Sequence, residues 1–133
     1  MPILVDSNVL LDVLTEDPRW SPWSMEALAE QADRDLLAIN PIIYAELSIG
    51  FVRIEELDDA VPAATFHRVA LPWEAAFLAG KCFLGYRKRG GVRSSPLPDF
   101  YIGAHASVSS MMLLTRDAAR YRTYFPKLRL IAP

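Results

Sequence analysis

Apolar residues in this chain fall into short unbroken runs, separated by segments in which they recur every three or four positions. Ile3-Leu4-Val5 is the first run, and Asp6-Ser7-Asn8 then opens the apolar-rich segment Val9 to Leu14. A buried strand followed by a helix accounts for both, because a strand covered on both faces has no reason to alternate. Trp23 to Arg34 follows a helical period, with Met25, Leu28, Ala29 and Ala32 on one side. Leu36 to Ile39 reads as a second strand. Asn40-Pro41 sets a capping side chain before a proline at the first helical position, which predicts a helix over Ile42 to Val52. Glu55 to Ala60 predicts a short acidic helix that Pro62 stops. Arg68 to Leu71 is the third predicted strand. Pro72 then starts a long helix with Trp73, Phe77, Gly80 and Leu84 at helical spacing. Arg87 to Arg93 reads as a basic, glycine-containing loop, and Pro96-Leu97-Pro98 leads into a helix from Asp99 to Val108. Met111 to Leu114 and Leu128 to Ile131 complete five predicted strands.

Strands alternating with helices imply an α/β fold with a short, mostly parallel sheet of about five strands flanked by helices. The chain has 133 residues, which suits one domain spanning 1–133. No run approaches the roughly 18 apolar residues that a membrane span needs. The N-terminus, Met1 to Asp6, has neither a basic segment nor a long apolar run, so a cytoplasmic protein is expected. Cys82 is the only cysteine, which excludes an internal disulfide and a cysteine-based zinc site. It is expected in the core.

Charge adds what the periodicity does not contain. The net charge is −2, but residues 81–133 hold ten Lys/Arg and only two acids, Asp99 and Asp117. The first 80 residues reverse the balance, with four Lys/Arg against fourteen Asp/Glu. Local field, more than net charge, steers a polyanion. Two solvated faces of opposite sign would give the same composition. In parallel sheets ligands bind beyond the carboxyl ends of the strands. Asp6 follows the first strand and Asp117 the fourth, so both are expected at that rim.

Four acids are the candidates for chemistry, and each also has a plainer reading. Asp6 and Asp117 could cap the helices that follow them. Asp99 stands in the first turn of its helix, where the macrodipole favours a negative charge by about 0.3–1 kcal/mol. Ile102 and Ala106 follow at helical spacing, so Asp99 is also expected to border the sheet. Glu46 lies between Ile42 and Ile49 on a predicted apolar stripe. A buried carboxylate needs a partner, and Arg53 could be one. Gly90-Gly91 lacks the strand-loop-helix setting of a phosphate-binding loop. Ser7 and Ser94-Ser95 have no accompanying His base and Asp orienter, and His67 and His105 are not spaced as metal ligands.

Four motifs carry these acids: Ile3 to Asp12 (ILVDSNVLLD), Pro41 to Leu47 (PIIYAEL), Leu97 to Ala106 (LPDFYIGAHA) and Leu114 to Asp117 (LTRD). In this order and these settings they resemble the PIN domain, and closely the VapC-type ribonuclease toxins of toxin–antitoxin pairs. The resemblance covers the whole chain. It implies a metal site formed by Asp6, Glu46, Asp99 and Asp117, with Asn8 and Thr115 orienting ligands or water. Hard oxygen ligands favour Mg²⁺ or Mn²⁺. The implied activity is metal-dependent hydrolysis of RNA phosphodiesters, with tRNA or rRNA as substrate class, leaving a 5′-phosphate and a 3′-hydroxyl.

Arg87, Lys88, Arg89, Arg93 and Arg116 are the candidate RNA contacts, Arg116 with a site carboxylate as its alternative partner. For Arg87 to Arg89 an exposed helix end is an equally adequate account. The resemblance also implies a homodimer and a VapB-type antitoxin that wraps the toxin and blocks the acidic pocket. Trp20, Trp23 and Phe51 are candidate apolar contacts for either interface. A structure-specific DNA nuclease and a non-catalytic RNA-binding PIN domain remain as alternatives. A phosphoacceptor receiver domain fits less well, because Asp6 has no acidic neighbour.

Overall fold

Five strands form one parallel sheet, and the computed structural model describes all of residues 1–133. In chain order the elements are β1 (Ile3–Val5), α1 (Ser7–Leu14), α2 (Ser21–Ala32), β2 (Leu37–Ile39), α3 (Pro41–Ser48), α4 (Ile54–Ala60), β3 (Phe66–Arg68), α5 (Trp73–Lys88), α6 (Pro98–Val108), β4 (Met112–Leu114), α7 (Ala119–Tyr124) and β5 (Leu130–Ile131). The sheet order is β3-β2-β1-β4-β5. In β1, Ile3 lies opposite Leu37 of β2 on one side and Met112 of β4 on the other. The three residues of β1 and of β2 are all buried, as expected for strands covered on both faces. The direction of winding reverses between β1 and β4, and such a switch point leaves a crevice at the carboxyl ends. Asp6 follows β1 there and Thr115 follows β4.

Asn40 caps α3 as the sequence predicts, its Oδ1 accepting from the Ile43 backbone N–H at 2.9 Å. Cys82 is buried, also as predicted. No helix is long and apolar enough to cross a membrane.

Several predicted elements differ. The third strand is Phe66–Arg68, earlier than the expected Arg68 to Leu71. It is an edge strand that buries only Phe66, so a long apolar run was the wrong criterion for it. The helix expected to reach Val52 stops at Ser48, leaving Ile49 87% exposed. Its core-facing residues are Ile43 and Leu47, one step round from the stripe that placed Glu46 inside. Arg53 sits 3.5 Å from Glu55 and is not the partner of Glu46. In α2 the buried side is Ser24, Ala27 and Gln31, and Met25 faces outward. Ser24 donates to the buried Asp12 at 2.9 Å, a polar contact that fixes the rotation of the helix.

The long helix α5 turns the opposite way from its bulky stripe. Ala75, Ala79 and Cys82 are buried, and α5 packs against α6 through this row of small side chains. Small residues let two helix axes approach closely. Trp73 and Phe77 are consequently 89% and 69% exposed.

Candidate active site

Asp6 is the most deeply placed of the four acids. Its side chain makes no capping bond to α1, so the plainer reading of this residue does not hold. Its backbone N–H donates to the Leu114 carbonyl at 2.8 Å, which ties the end of β1 to the end of β4. The carboxylate accepts from Tyr121 Oη at 2.8 Å, Thr115 Oγ1 at 2.9 Å and Asn8 Nδ2 at 3.4 Å. Only 3% of the residue is exposed. Burial raises its pKa to about 6, and repulsion from Asp99 and Glu46 adds to the rise, while the Tyr121 and Thr115 hydrogen bonds oppose it.

Asn8 and Thr115 work together on this carboxylate. Asn8 Nδ2 also donates to Thr115 Oγ1 at 3.2 Å, and Asn8 Oδ1 accepts the Arg116 backbone N–H at 3.1 Å. The hydroxyl of Thr115 accepts the Asp117 backbone N–H at 3.2 Å as well as donating to Asp6. The loop after β4 is thereby held against the start of α1.

Glu46 projects from α3 and accepts a 2.8 Å hydrogen bond from Ser7 Oγ. Burial raises its proton affinity, with the Ser7 hydrogen bond opposing and the charge of Asp99 adding a smaller upward push. Asp99 lies in the first turn of α6. It sits 3.4 Å from Arg120 Nη1 and 3.4 Å from Tyr121 Oη. Burial again raises its pKa, the Arg120 charge and the Tyr121 hydrogen bond lower it, and Asp117 raises it. Asp117 is exposed in the loop before α7; the N-cap of that helix is Ala118, so Asp117 is not its cap.

Asp6, Glu46 and Asp99 therefore feel one another's charge, and Asp99 shares an open cleft of about 430 Å³ with Asp117. No three acidic, His or Cys side chains stand close enough together to ligate one ion. Ser7, Tyr121 and Arg120 hold the carboxylates in their present directions. By chemistry the donor set suits a hard cation: it offers oxygen ligands only, and burial first, then mutual charge, raises proton affinity in three of them.

The basic residues divide. Arg116 is committed to the buried Asp12 through a fork of 2.8 Å from Nε and 3.1 Å from Nη2, with its guanidinium 5.3 Å from the Trp20 ring. Its partner is therefore Asp12, on the side of α1 that faces α2, and not one of the four site acids; a buried carboxylate must be paired. Arg87, Lys88, Arg89 and Arg93 are exposed around the end of α5. Arg87 donates to the Arg93 carbonyl at 2.7 Å, and Arg89 lies 5.1 Å over the ring of Tyr124. His105 is buried, with Nδ1 3.0 Å from Asn40 Nδ2.

Four residues at or beside the site were not identified from sequence as parts of it. Ser7, Arg120 and Tyr121 bond to the acids, and Asp12 anchors Arg116. Tyr121 carried a usable signal. It lies four residues before Phe125 on the buried side of α7, and a buried tyrosine hydroxyl needs a partner.

The fold recurs in solved complexes. The chain is similar to a chain of VapBC2 from Rickettsia felis bound to a DNA fragment from their promoter, with TM-score 0.75, 18% identity, and 100% of this chain and 99% of that one covered. It is similar to a chain of VapBC-1 from nontypeable Haemophilus influenzae, with TM-score 0.74, 19% identity and coverages of 99% and 98%. It is also similar to a chain of a toxin–antitoxin complex from Klebsiella pneumoniae, with TM-score 0.62, 23% identity and coverages of 90% and 89%. No curated protein matches the sequence. The profile of the PIN domain matches residues 3–126, nearly the whole chain, and the protein belongs to the PIN domain family.

Proposed function

We propose that this protein is a divalent-metal-dependent endoribonuclease, the VapC-type toxin of a toxin–antitoxin pair. The observation that carries the reading is the gathering of Asp6, Glu46 and Asp99 at the carboxyl end of β1, mutually repelling and partly sealed from water. Asp117 joins them from the cleft side. Asp6, Glu46, Asp99 and Asp117 would hold Mg²⁺ or Mn²⁺ once the carboxylates turn inward from Ser7, Arg120 and Tyr121. When bound, such an ion supplies Lewis-acid polarisation of a phosphoryl oxygen and lowers the pKa of a water.

The chain's own residues do the rest. Tyr121, Thr115 and Asn8 orient the Asp6 carboxylate. Ser7 orients Glu46 through a 2.8 Å hydrogen bond. Arg120 is placed to neutralise phosphate charge when it releases Asp99. The exposed Arg87, Lys88, Arg89 and Arg93 give a positive approach for the RNA backbone.

Partners follow the same reading. The solved relatives are toxin–antitoxin complexes, which supports a VapB-type antitoxin here. A homodimer is proposed to use the exposed Trp73 and Phe77 face of α5. Trp23 and Phe51 pack on the core, and Trp20 is covered by Arg19 and Arg116, so these three are weaker interface candidates than the sequence suggested.

The test is cleavage of labelled tRNA and rRNA fragments by antitoxin-free protein with Mg²⁺, Mn²⁺ or EDTA, beside Asp99→Asn. Metal-dependent cleavage that Asp99→Asn abolishes is the expected result. Equal cleavage by both proteins would show that the site is misassigned. Binding of RNA without cleavage by the folded protein would favour the non-catalytic alternative, and metal-dependent cutting confined to branched DNA would favour the DNA nuclease.

A further inference from the structure

We infer that the cleft beside Asp99 and Asp117 contains a nucleobase-stacking subsite, built from Tyr124 and Arg89, that holds one base of a single-stranded RNA next to the phosphate being cut. The inference rests on the ribonuclease reading above and adds a specificity element to it.

The short helix α7 presents two faces. Tyr121 and Phe125 are buried, and Tyr121 reaches Asp6 and Asp99 from inside. Arg120, Thr123 and Tyr124, spaced i, i+3 and i+4, share the other face and line the cleft with Asp99 and Asp117. At about 430 Å³ the cleft falls within the range of small-ligand sites, roughly 300–1,000 Å³. The cleft therefore gathers two carboxylates, a guanidinium 3.4 Å from one of them, and an aromatic ring. A nucleotide needs that set of groups when its phosphate is the reacting group: ligands for the metal, a cation for the remaining charge, and a flat surface for the base.

Tyr124 is held as a rigid platform. Its ring packs edge-on against the buried Phe100, with centroids 4.9 Å apart and planes at 67°. Phe100 in turn meets Tyr86 at 5.8 Å. The Arg89 guanidinium, delivered by the end of α5, lies 5.1 Å from the Tyr124 centroid. A planar cation over a ring marks the place where a base can stack, either between the two or on the ring with Arg89 displaced toward phosphate. Arg89 is exposed and Arg120 is held only by a 3.4 Å contact to Asp99, so both can move. Arg116, half-buried and forked onto the buried Asp12, is already committed and does not serve in their place.

The experiment uses 20-nucleotide single-stranded RNAs of mixed sequence and versions with one abasic position. Binding is read by fluorescence anisotropy in EDTA, and cleavage by steady-state kinetics in Mn²⁺. Tyr124→Leu is expected to weaken binding and raise KM roughly tenfold with a smaller change in kcat, while Tyr124→Phe stays close to wild type. Removing one particular base should weaken the wild type by a similar factor and Tyr124→Leu hardly at all. Arg89→Gln changes only an exposed side chain, so it should weaken binding with the fold intact even if Tyr124→Leu does not fold.

RNA cleavage with binding and KM unchanged in both Tyr124→Leu and Arg89→Gln overturns the subsite and leaves the ribonuclease standing. Binding that depends on Tyr124 without any cleavage supports the subsite and removes the nuclease reading. Failure of the wild type to bind RNA overturns both and points to a protein segment as the occupant of the cleft.

Discussion

Asp6 links the chemistry of the site to the stability of the protein. Its carboxyl is held near 6, above the ordinary value of about 3.9, because burial disfavours the charged form. Stability contributed by the protonated group is complete below the ordinary value and is lost as pH rises through about 6. The difference amounts to roughly 3 kcal/mol for this one residue, and Glu46 and Asp99 act in the same direction. Metal-free protein should therefore show a falling urea midpoint between pH 4 and 7, and Asp6→Asn should flatten that fall. Mg²⁺ or Mn²⁺ should raise the Tm of the wild type at pH 7.5 and leave Asp6→Asn nearly unchanged. A wild-type midpoint that climbed across the same pH range, relative to Asp6→Asn, would contradict the burial of Asp6.

Helix α5 shows how packing chooses between two apolar stripes on one element. The bulky stripe of Trp73, Phe77 and Leu84 was the more obvious one in sequence, yet Ala75, Ala79 and Cys82 face inward. An exposed tryptophan and phenylalanine on one helical face are a hallmark of a surface that meets another chain. Gly80 lies on that face, and a Cβ built there would meet nothing within 4 Å, so it leaves an open notch. A glycine in a helix interior costs about 1 kcal/mol relative to alanine. Two antiparallel copies of α5 across a two-fold axis would set each Phe77 toward the partner's Gly80 and each Trp73 toward the partner's Leu84. In the single chain, Lys81 covers Phe77 with its ammonium 5.0 Å from the ring. On the proposed homodimer, Phe77→Glu should halve the mass seen by size-exclusion chromatography with light scattering and leave the circular dichroism unchanged. A wild-type protein already monomeric at high concentration would remove the self-association role of this face.

At the scale of the molecule, the separation of charge along the chain becomes an arrangement in space. The acids of the site come from both halves of the chain: Asp6 and Glu46 from the acidic half, Asp99 and Asp117 from the basic one. The parallel sheet brings them together at the end of β1 and β4, and the exposed end of α5 supplies cations nearby. On the ribonuclease reading, RNA affinity should fall linearly with the logarithm of salt concentration. Each phosphate neutralised by Arg87, Lys88, Arg89 or Arg93 should add about 0.7 to the slope. The double variant Lys88→Gln, Arg93→Gln should reduce the slope by about 1.4 in anisotropy titrations. An unchanged slope would place the RNA elsewhere.

The four acids, with Asn8 and Thr115 beside them, came from motifs resembling a family and stay a proposal; the order of elements and the parallel sheet were legible in the sequence by itself. Those are local properties: unbroken apolar runs make doubly covered strands, and Asn40-Pro41 starts a helix wherever it stands. Helix rotation was not legible. Glu46 was placed inside by Ile42 and Ile49, whereas Ile43 and Leu47 face the core and Glu46 stands at its margin, bonded to Ser7. Equally hidden was the role of Arg116, because its partner Asp12 is 104 residues away in sequence. Tyr121 and Arg120 enter the site for the same reason, since only the packing of α7 against α6 brings them to Asp6 and Asp99. Periodicity reports which residues seek burial, but which of two stripes is buried, and which charge pairs with which, depends on contacts between segments that only the packed structure brings together.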